Sequence, residues 1–247
     1  MLRKILNKIE SKRNSKKFFW RTAVLSKDFV WYCIYVFPRK IRDNPAAIFG
    51  NIYKRKLWGN KKDFFSGEGS LPENTLQYRN YIERFVKEKD IHKILDLGCG
   101  NFRIGKLINW HNASYVGVDV VKPLIKRNNL LFSGKKIRFI KKNIIKDKLP
   151  DADLCLIREV LQHLPNKDIK KILKKITKYK YVLITDCQPK NPEKKLNLDI
   201  LLGGYRKSGL YLESPPFNQK VEIVLSYPKK NKTGIMRTLL IENNMKK

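Results

Sequence analysis

Hydrophobic and polar positions follow two distinct rhythms along the middle of the chain. Short apolar runs bounded by polar or turn residues predict buried strands, and stretches in which apolar residues recur every three to four positions predict helices. The apolar runs predict five strands, at 94–97, 115–119, 137–140, 154–157 and 181–185.

Helical spacing fills the intervals between these strands. Helices are predicted near 103–110 and 123–131, and another from about residue 167 with Asn166 as its N-cap. Strands that alternate with helices in this way predict a parallel sheet covered on both faces. The helix before the first strand has its apolar face at Tyr78, Tyr81, Ile82, Phe85 and Val86.

The alternation of strands and helices ends after Pro192. Residues 221–227 and 235–241 are joined by the turn-rich segment "PKKNKTG" and predict an antiparallel hairpin at one edge of the sheet. The elements together predict an α/β fold: a Rossmann-like, doubly wound sheet of seven strands, mostly parallel, with an antiparallel C-terminal hairpin.

A glycine-containing turn follows the first predicted strand, within "KILDLGCGNFRIGKLI" at 93–108. Gly98 and Gly100 allow a tight turn and a close approach to a ligand. A dinucleotide fingerprint would place a third glycine or alanine at position 103, where this chain has Arg103. The turn therefore suits a ligand that bears no phosphate.

Two carboxylates mark the ends of the expected ligand site. Asp96, at the end of the first strand, favours a cationic group. Asp119 ends the next strand, at about the 20-residue offset where an acidic residue binds ribose hydroxyls in doubly wound folds. A nucleoside with a positively charged tail is indicated, and S-adenosylmethionine meets both requirements.

Four segments resemble the successive motifs of class I S-adenosylmethionine-dependent methyltransferases: "ILDLGCG", "YVGVDV", "LPDADLCLIREVLQHL" and "YVLITD". The chain also resembles bacterial and viral methyltransferase-domain proteins of glycan-modification type. Those proteins share "IYxxxLWG", a Gly/Ser-rich loop, an Arg-Asp/Glu pair followed by His-Leu, "N-x-D-I" and "PPFN". Here these motifs lie at 52–59, 66–70, 158–164, 197–200 and 215–218.

The resemblance implies a cofactor-binding role for six residues. Asp119 would bind the ribose, and Val120 would flank the adenine. Asn143 stands where the superfamily usually has an acidic residue that meets the adenine amino group, and its side-chain oxygen can still accept that hydrogen bond. The methionine part would contact Asp96, Gly98 and Gly100.

Catalytic candidates follow the fourth predicted strand. Near its ordinary pKa of about 6.5, a neutral His163 can take the proton of a hydroxyl acceptor, with Glu159 beside it. The guanidinium of Arg158 can bind a carboxylate or order the loop. The alternative for His163 is a structural role at a helix end. In the related methyltransferase-domain proteins, a further segment usually reads Gly-Asp-Trp-Arg. Here it reads Gly-Gly-Tyr-Arg, at 203–206, which departs from their substrate-contact pattern.

Several nucleic-acid chemistries lose support because their motifs are absent. "REVLQHL" stands where enzymes that methylate exocyclic base amines have Asn/Asp-Pro-Pro-aromatic, and the paired cysteines of cytosine-C5 enzymes are missing. The leading hypothesis is O-methylation of a sugar, a glycan or another small hydroxyl acceptor, which rests partly on analogy. Two alternatives stay open: an RNA methyltransferase guided by the basic N-terminal segment, and a cofactor-binding module without activity.

The charge of the chain is strongly basic. Its 54 lysine and arginine residues against 22 aspartate and glutamate residues give a net charge of +32. Such an excess attracts phosphate-rich partners, so nucleic acid, although not favoured, and peripheral membrane contact through the N-terminus stay open. A lysine-rich compositional bias without a selected binding surface is the alternative.

The basic charge is concentrated in the first quarter of the chain, where residues 1–62 hold 17 basic and 3 acidic residues. We therefore divide the chain into a basic, aromatic-rich N-terminal extension at 1–59 and a methyltransferase domain at 60–247. The apolar run "FVWYCIYVF" at 29–37 is too short to span a bilayer. A soluble, cytoplasmic protein is expected, and the sequence gives no oligomeric state.

The cysteines and histidines do not form a recognisable ligand set. The four cysteines contain no C-x-x-C pair, and the three histidines are not clustered, so we expect reduced thiols and no metal site. The cysteines are Cys33, Cys99, Cys155 and Cys187.

Overall fold

The computed structural model describes residues 43–59, 64–192, 194–229 and 234–243. Seven strands form one sheet in the order β3-β2-β1-β4-β5-β7-β6, which confirms the predicted fold class. The first five strands are parallel, β7 pairs antiparallel with β5, and β6 pairs antiparallel with β7. The strands are β1 (Lys93–Leu97), β2 (Ser114–Asp119), β3 (Ile137–Lys141), β4 (Leu154–Arg158), β5 (Tyr181–Pro189), β6 (Glu222–Pro228) and β7 (Gly234–Glu242).

Four α-helices lie within the described ranges. Apolar residues at helical spacing become buried on one face of each, as in the last helix, where Ile169, Ile172 and Ile176 are almost completely buried. None of the described helices is long and apolar enough to cross a bilayer. The helices are α1 (Pro45–Lys54), α2 (Leu76–Glu88), α3 (Lys122–Phe132) and α4 (Asn166–Ile176).

The strand order places a crevice at the carboxyl end of β1. Strand β1 pairs with β2 on one side and with β4 on the other, so the direction of winding reverses there. In open α/β sheets, ligands bind outside the carboxyl ends of the strands at such a switch point. The ends of β1, β2 and β4 bring Asp96, Asp119 and Arg158 to this edge.

The helix predicted near 103–110 is wrong, because only one short 3₁₀ turn, Gly105–Leu107, forms there. Phe102 adopts a positive φ of 57° and packs its ring against Tyr115 and Phe139. The indole Nε1 of Trp110 donates to the Gly105 carbonyl at 2.9 Å. Aromatic packing against the sheet therefore overrides the helical periodicity of this segment.

The predicted N-cap of α4 is also wrong. Asn166 is the first residue of the helix, and Pro165 occupies the cap position without a side-chain hydrogen bond. The backbone amide of Asn166 donates instead to the carboxylate of Asp199 at 2.7 Å. A distant loop thus supplies the acceptor that local sequence was expected to provide.

The boundary that we drew after residue 59 stays a prediction. Helix α1 lies before that boundary and belongs to the same compact unit as the sheet, Asn44–Lys247. Burial of Ile48 and Ile52 explains this, because the apolar face of α1 packs into that unit. Predictions that concern residues 1–42, including Cys33 and the apolar run at 29–37, lie outside the described residues.

Two leucines of α3 provide a test of the packing. Leu124 is completely buried, whereas Leu130 is 85% exposed on the same helix. We expect Leu124→Ala to lower the free energy of unfolding by about 2–5 kcal/mol, because it leaves a cavity in the core. Leu130→Ala is the matched control and should change it by less than about 0.5 kcal/mol. Denaturant unfolding of both variants measures the difference, and equal effects would contradict the assigned packing of α3.

Candidate functional site

The turn after β1 has a shape that only glycine permits at two positions. Gly98 has a φ of +81°, and a Cβ there would lie 2.4 Å from a methyl group of Val160. Gly100 has a φ of +54°, and a Cβ there would lie 2.9 Å from the Ser66 hydroxyl. Two amides of the turn donate to the Val118 carbonyl, that of Gly98 at 2.7 Å. The turn is thus fixed to the end of β2.

Asp119 joins this turn to the second strand. Its carboxylate accepts hydrogen bonds from the Val121 amide at 3.0 Å and from the Gly100 amide at 3.3 Å. Burial raises the pKa of Asp119 to about 6, against the opposing effect of these amides. The carboxylate is therefore ionised near neutral pH, and it becomes protonated as the pH falls through about 6.

Asp96 lies at the other side of the turn. The Tyr115 hydroxyl donates to its carboxylate at 2.5 Å. Burial raises the pKa of Asp96 to about 6, and the Tyr115 hydrogen bond and the Arg158 charge partly oppose this shift. A cation placed beside Asp96 would favour its ionised form, so the position suits an ammonium or sulfonium group.

Two adjoining cavities open at this edge of the sheet. The first, the Asp119 cavity, is lined by Gly98, Asp119, Val120, Asn143 and Ile145 among others. The second, the Asp96 cavity, has a volume of about 220 Å³ and contains Asp96, Asn101, Tyr78, Arg158 and Gln162 in its lining. Four side chains line both cavities and so mark their junction: Tyr53, Trp58, Glu159 and His163.

Asn143 lines the Asp119 cavity, as its predicted adenine contact requires. Its side-chain oxygen, however, already accepts a hydrogen bond from the Ile145 amide at 3.0 Å. An amide oxygen has two lone pairs, so only the second one is left for an adenine amino group.

His163 has a defined tautomer at the junction. Its Nδ1 lies 2.8 Å from the Gly204 carbonyl oxygen, which can only accept, so Nδ1 carries the proton. Burial lowers the pKa of His163, and therefore the ring is neutral at neutral pH. Nε2 then has a free lone pair. The Trp58 ring, with its centroid 5.6 Å away, packs beside the imidazole.

Arg158 and Glu159 form an ion pair at the end of β4. A guanidinium nitrogen of Arg158 lies 3.1 Å from the Glu159 carboxylate, and another donates to the Gly69 carbonyl at 2.7 Å. The guanidinium also lies over the Tyr78 ring. Both roles that we considered for Arg158, binding a carboxylate and ordering the loop, stay predictions. Glu159 adopts a positive φ of 52°, a strained conformation for a residue other than glycine.

The motifs between β5 and β6 build a support for His163. Asn197 holds the segment through hydrogen bonds to Tyr211 and Pro215. Arg206 is buried and donates to the carbonyls of Leu164, at 2.7 Å, and Leu198. This places the Gly204 carbonyl against the imidazole of His163. Tyr205, in contrast, is exposed.

Sequence reasoning assigned no role to several residues of the site. Tyr53 and Trp58 lie at the cavity junction, and the "IYxxxLWG" motif that contains them was the available signal. Tyr53 is hydrogen-bonded to Ser66 at 2.9 Å, so α1 and the following loop cover the turn after β1. Asp186 is buried beside this site, where burial and the Glu159 charge raise its pKa. The available sequence signal was the motif "YVLITD", which ends at Asp186.

Comparisons with known proteins show a match to one family model and a fold shared with solved structures. A family model described as a methyltransferase domain matches residues 94–179. No curated protein matches the chain. Among solved structures, magnesium protoporphyrin IX methyltransferase from Synechocystis PCC 6803 with bound S-adenosylhomocysteine is 12% identical with a TM-score of 0.54, covering 83% of this chain and 98% of that one.

Two further structures share the fold. The methyltransferase domain of a bacterial CtHen1 is 16% identical with a TM-score of 0.50, covering 68% of this chain and 99% of that one. The N-terminal domain of EvdMO1, determined in the presence of S-adenosylhomocysteine and D-fucose, is 11% identical with a TM-score of 0.51, covering 78% and 96%. At these low identities, the structural likeness shows a common fold and nothing further.

The family match at 94–179 covers β1 to β4 and the turn after β1, so this part of the chain matches a methyltransferase domain. S-adenosylmethionine is the cofactor that the sequence predicts for this site. The residues present fit this cofactor, since a glycine turn without room for side chains lies between one carboxylate suited to a cation and another suited to ribose hydroxyls. Within the described ranges, no three His, Cys, Asp or Glu side chains converge as metal ligands would.

The raised pKa values of the two carboxylates predict a pH dependence of cofactor binding. Ligand groups that donate to Asp96 and Asp119 require the ionised forms, so affinity should be full above neutral pH and fall as the pH drops through about 6. Calorimetric titration with S-adenosylhomocysteine should show about a tenfold loss at pH 5 relative to pH 8 for each carboxylate involved.

Asp119→Asn provides the control for this prediction. It should weaken binding at pH 8 and leave a shallower pH dependence, because only Asp96 then titrates. An affinity that stays constant between pH 5 and 8 in the unmodified protein would contradict the assignment of both carboxylates to the ligand.

Proposed function

We propose that the protein methylates a hydroxyl group of a sugar, a glycan or another small acceptor. The observation that carries this proposal is the position of a neutral histidine at the junction of the two cavities. His163 lines both of them, and its free Nε2 lone pair is that of a base. A hydroxyl group gains from such a base because its oxygen becomes more nucleophilic as it loses its proton.

The Asp119 cavity and the turn after β1 would hold the cofactor. Asp119 would accept the ribose hydroxyls, Val120 and Ile145 would flank the adenine, and the free lone pair of Asn143 would meet its amino group. Asp96 would bind the cationic methionine part beside Gly98 and Gly100. When bound, S-adenosylmethionine supplies an electrophilic methyl group on a sulfonium.

The Asp96 cavity would hold the methionine part at Asp96 and the acceptor against its other walls. Trp58 and Tyr78 provide aromatic walls, and Gln162 and Glu68 provide polar groups that can orient hydroxyls. An acceptor oxygen placed at the junction would form its new bond to the methyl carbon as the bond between that carbon and the sulfonium sulfur breaks, and the neutral thioether would leave. His163 Nε2 would take the hydroxyl proton in the same step. The positive charge that His163 gains is favoured by Glu159, whose charge raises the pKa of the imidazole.

Arg158 would act as a positioning residue. Its contacts hold the Glu159 carboxylate and the Gly69 loop, so it fixes the wall of the acceptor cavity. His163 would thus accept the proton, Glu159 would stabilise the resulting positive charge, and Arg158 would have a structural role.

Transfer of labelled methyl groups to a cell extract tests the acceptor class. We expect label from S-adenosylmethionine in the glycan or small-molecule fraction, as an alkali-stable ether. Label confined to RNA would overturn the proposal and support the RNA alternative. Absence of label in every fraction, with S-adenosylhomocysteine binding intact, would instead support a binding module without activity.

Substitution of His163 tests the base. We expect His163→Gln to lower kcat about 10²–10⁴-fold on the labelled fraction, because proton transfer is lost. The dissociation constant for S-adenosylhomocysteine should change little. His92→Gln is the matched control, since His92 is exposed and far from the cavities in the fold. Unchanged turnover in His163→Gln would remove this residue from the mechanism.

A further inference from the structure

A third cavity lies outside the two described above. It has a volume of about 600 Å³ and is formed by α1, the turn after it, the start of α3 and the end of β3. It shares Tyr53 and Val120 with the Asp119 cavity, but neither Asp96 nor Asp119 lines it. We call it the lysine cavity, after Lys54, Lys56, Lys122 and Lys141 in its lining.

The charged groups among the described residues that line the lysine cavity all carry the same sign. Lys54 and Lys56 come from one segment, while Lys122 and Lys141 come from two others, so the fold brings together cations that are distant in sequence. No acidic side chain is among the described lining residues, and no salt bridge to these lysines occurs in the described part of the chain. Two lysines elsewhere in the described ranges are in salt bridges, Lys171 with Asp168 and Lys178 with Asp151.

Such a cavity concentrates anions. A cleft lined by charges of one sign, with apolar walls, focuses the electric field and raises the local concentration of counter-ions. The lysine ammonium groups are compact positive charges of the kind that binds phosphate. The remaining wall is apolar and aromatic, and the ring centroids of Tyr53 and Phe64 lie 5.7 Å apart in an edge-to-face contact. The volume of the cavity lies in the range of small-molecule sites.

We propose that the lysine cavity binds a phosphorylated ligand of nucleotide size, with the phosphates on Lys54, Lys122 and Lys141 and the body against Tyr53 and Phe64. The site adjoins the Asp119 cavity at Tyr53 and Val120, and the inference holds whichever acceptor the enzyme methylates.

Calorimetric titration of the full chain with uridine diphosphate tests this proposal. Saturating S-adenosylhomocysteine keeps the cofactor cavities filled during the measurement. We expect uridine diphosphate and pyrophosphate to bind and uridine not to bind, because the phosphates supply most of the attraction. Absence of uridine diphosphate binding would overturn the proposal, and so would binding of single-stranded RNA alone.

Two triple variants separate the cavity from the general charge of the protein. Lys54→Gln, Lys122→Gln and Lys141→Gln together should weaken uridine diphosphate binding at least about tenfold. The control removes the same charge from the exposed face of α4 through Lys167→Gln, Lys170→Gln and Lys174→Gln. It should change the affinity by less than about twofold. Equal losses in both variants would show non-specific attraction and would overturn the site.

Discussion

The hydrogen bond between the Gly100 amide and the Asp119 carboxylate connects the parts of the molecule on which its chemistry depends. It links the turn after β1 to the end of β2, and the Asn128 side chain strengthens the link by donating to the Gly100 carbonyl at 2.7 Å. The turn can be this tight because Gly98 and Gly100 lack side chains. The same arrangement leaves the two carboxylates at the strand ends on either side of one short segment.

Burial of charge is the second feature of the site. Asp96, Asp119 and His163 all have pKa values displaced from their ordinary ranges by desolvation. Each keeps a specific protein partner, which limits the cost of leaving water. Groups with displaced pKa values that gather in a cleft are typical of functional sites. This burial lowers the free energy of unfolding at this edge of the sheet, and it leaves two carboxylates, Asp96 and Asp119, with pKa values of about 6.

The segment between β5 and β6 shows how a motif can matter without touching a ligand. Its Asn197 and Arg206 form hydrogen bonds with backbone groups, and their combined effect is to hold the Gly204 carbonyl in place. That carbonyl sets the tautomer of His163. The departure from the related sequence pattern at 203–206 therefore leaves this contact intact, since a backbone oxygen makes it.

The sequence by itself determined the strands, most of the helices, the sheet class and the glycine turn, because burial on one face and backbone sterics leave a periodic or local signal. Only the tertiary structure decided the short turn at 105–107, the cap of α4 by Asp199 and the tautomer of His163. Such features depend on partners far along the chain: Asn166 and Asp199 are separated by 33 positions, and His163 and Gly204 by 41. No local pattern encodes such a contact, since it exists only once the sheet has brought the two segments together.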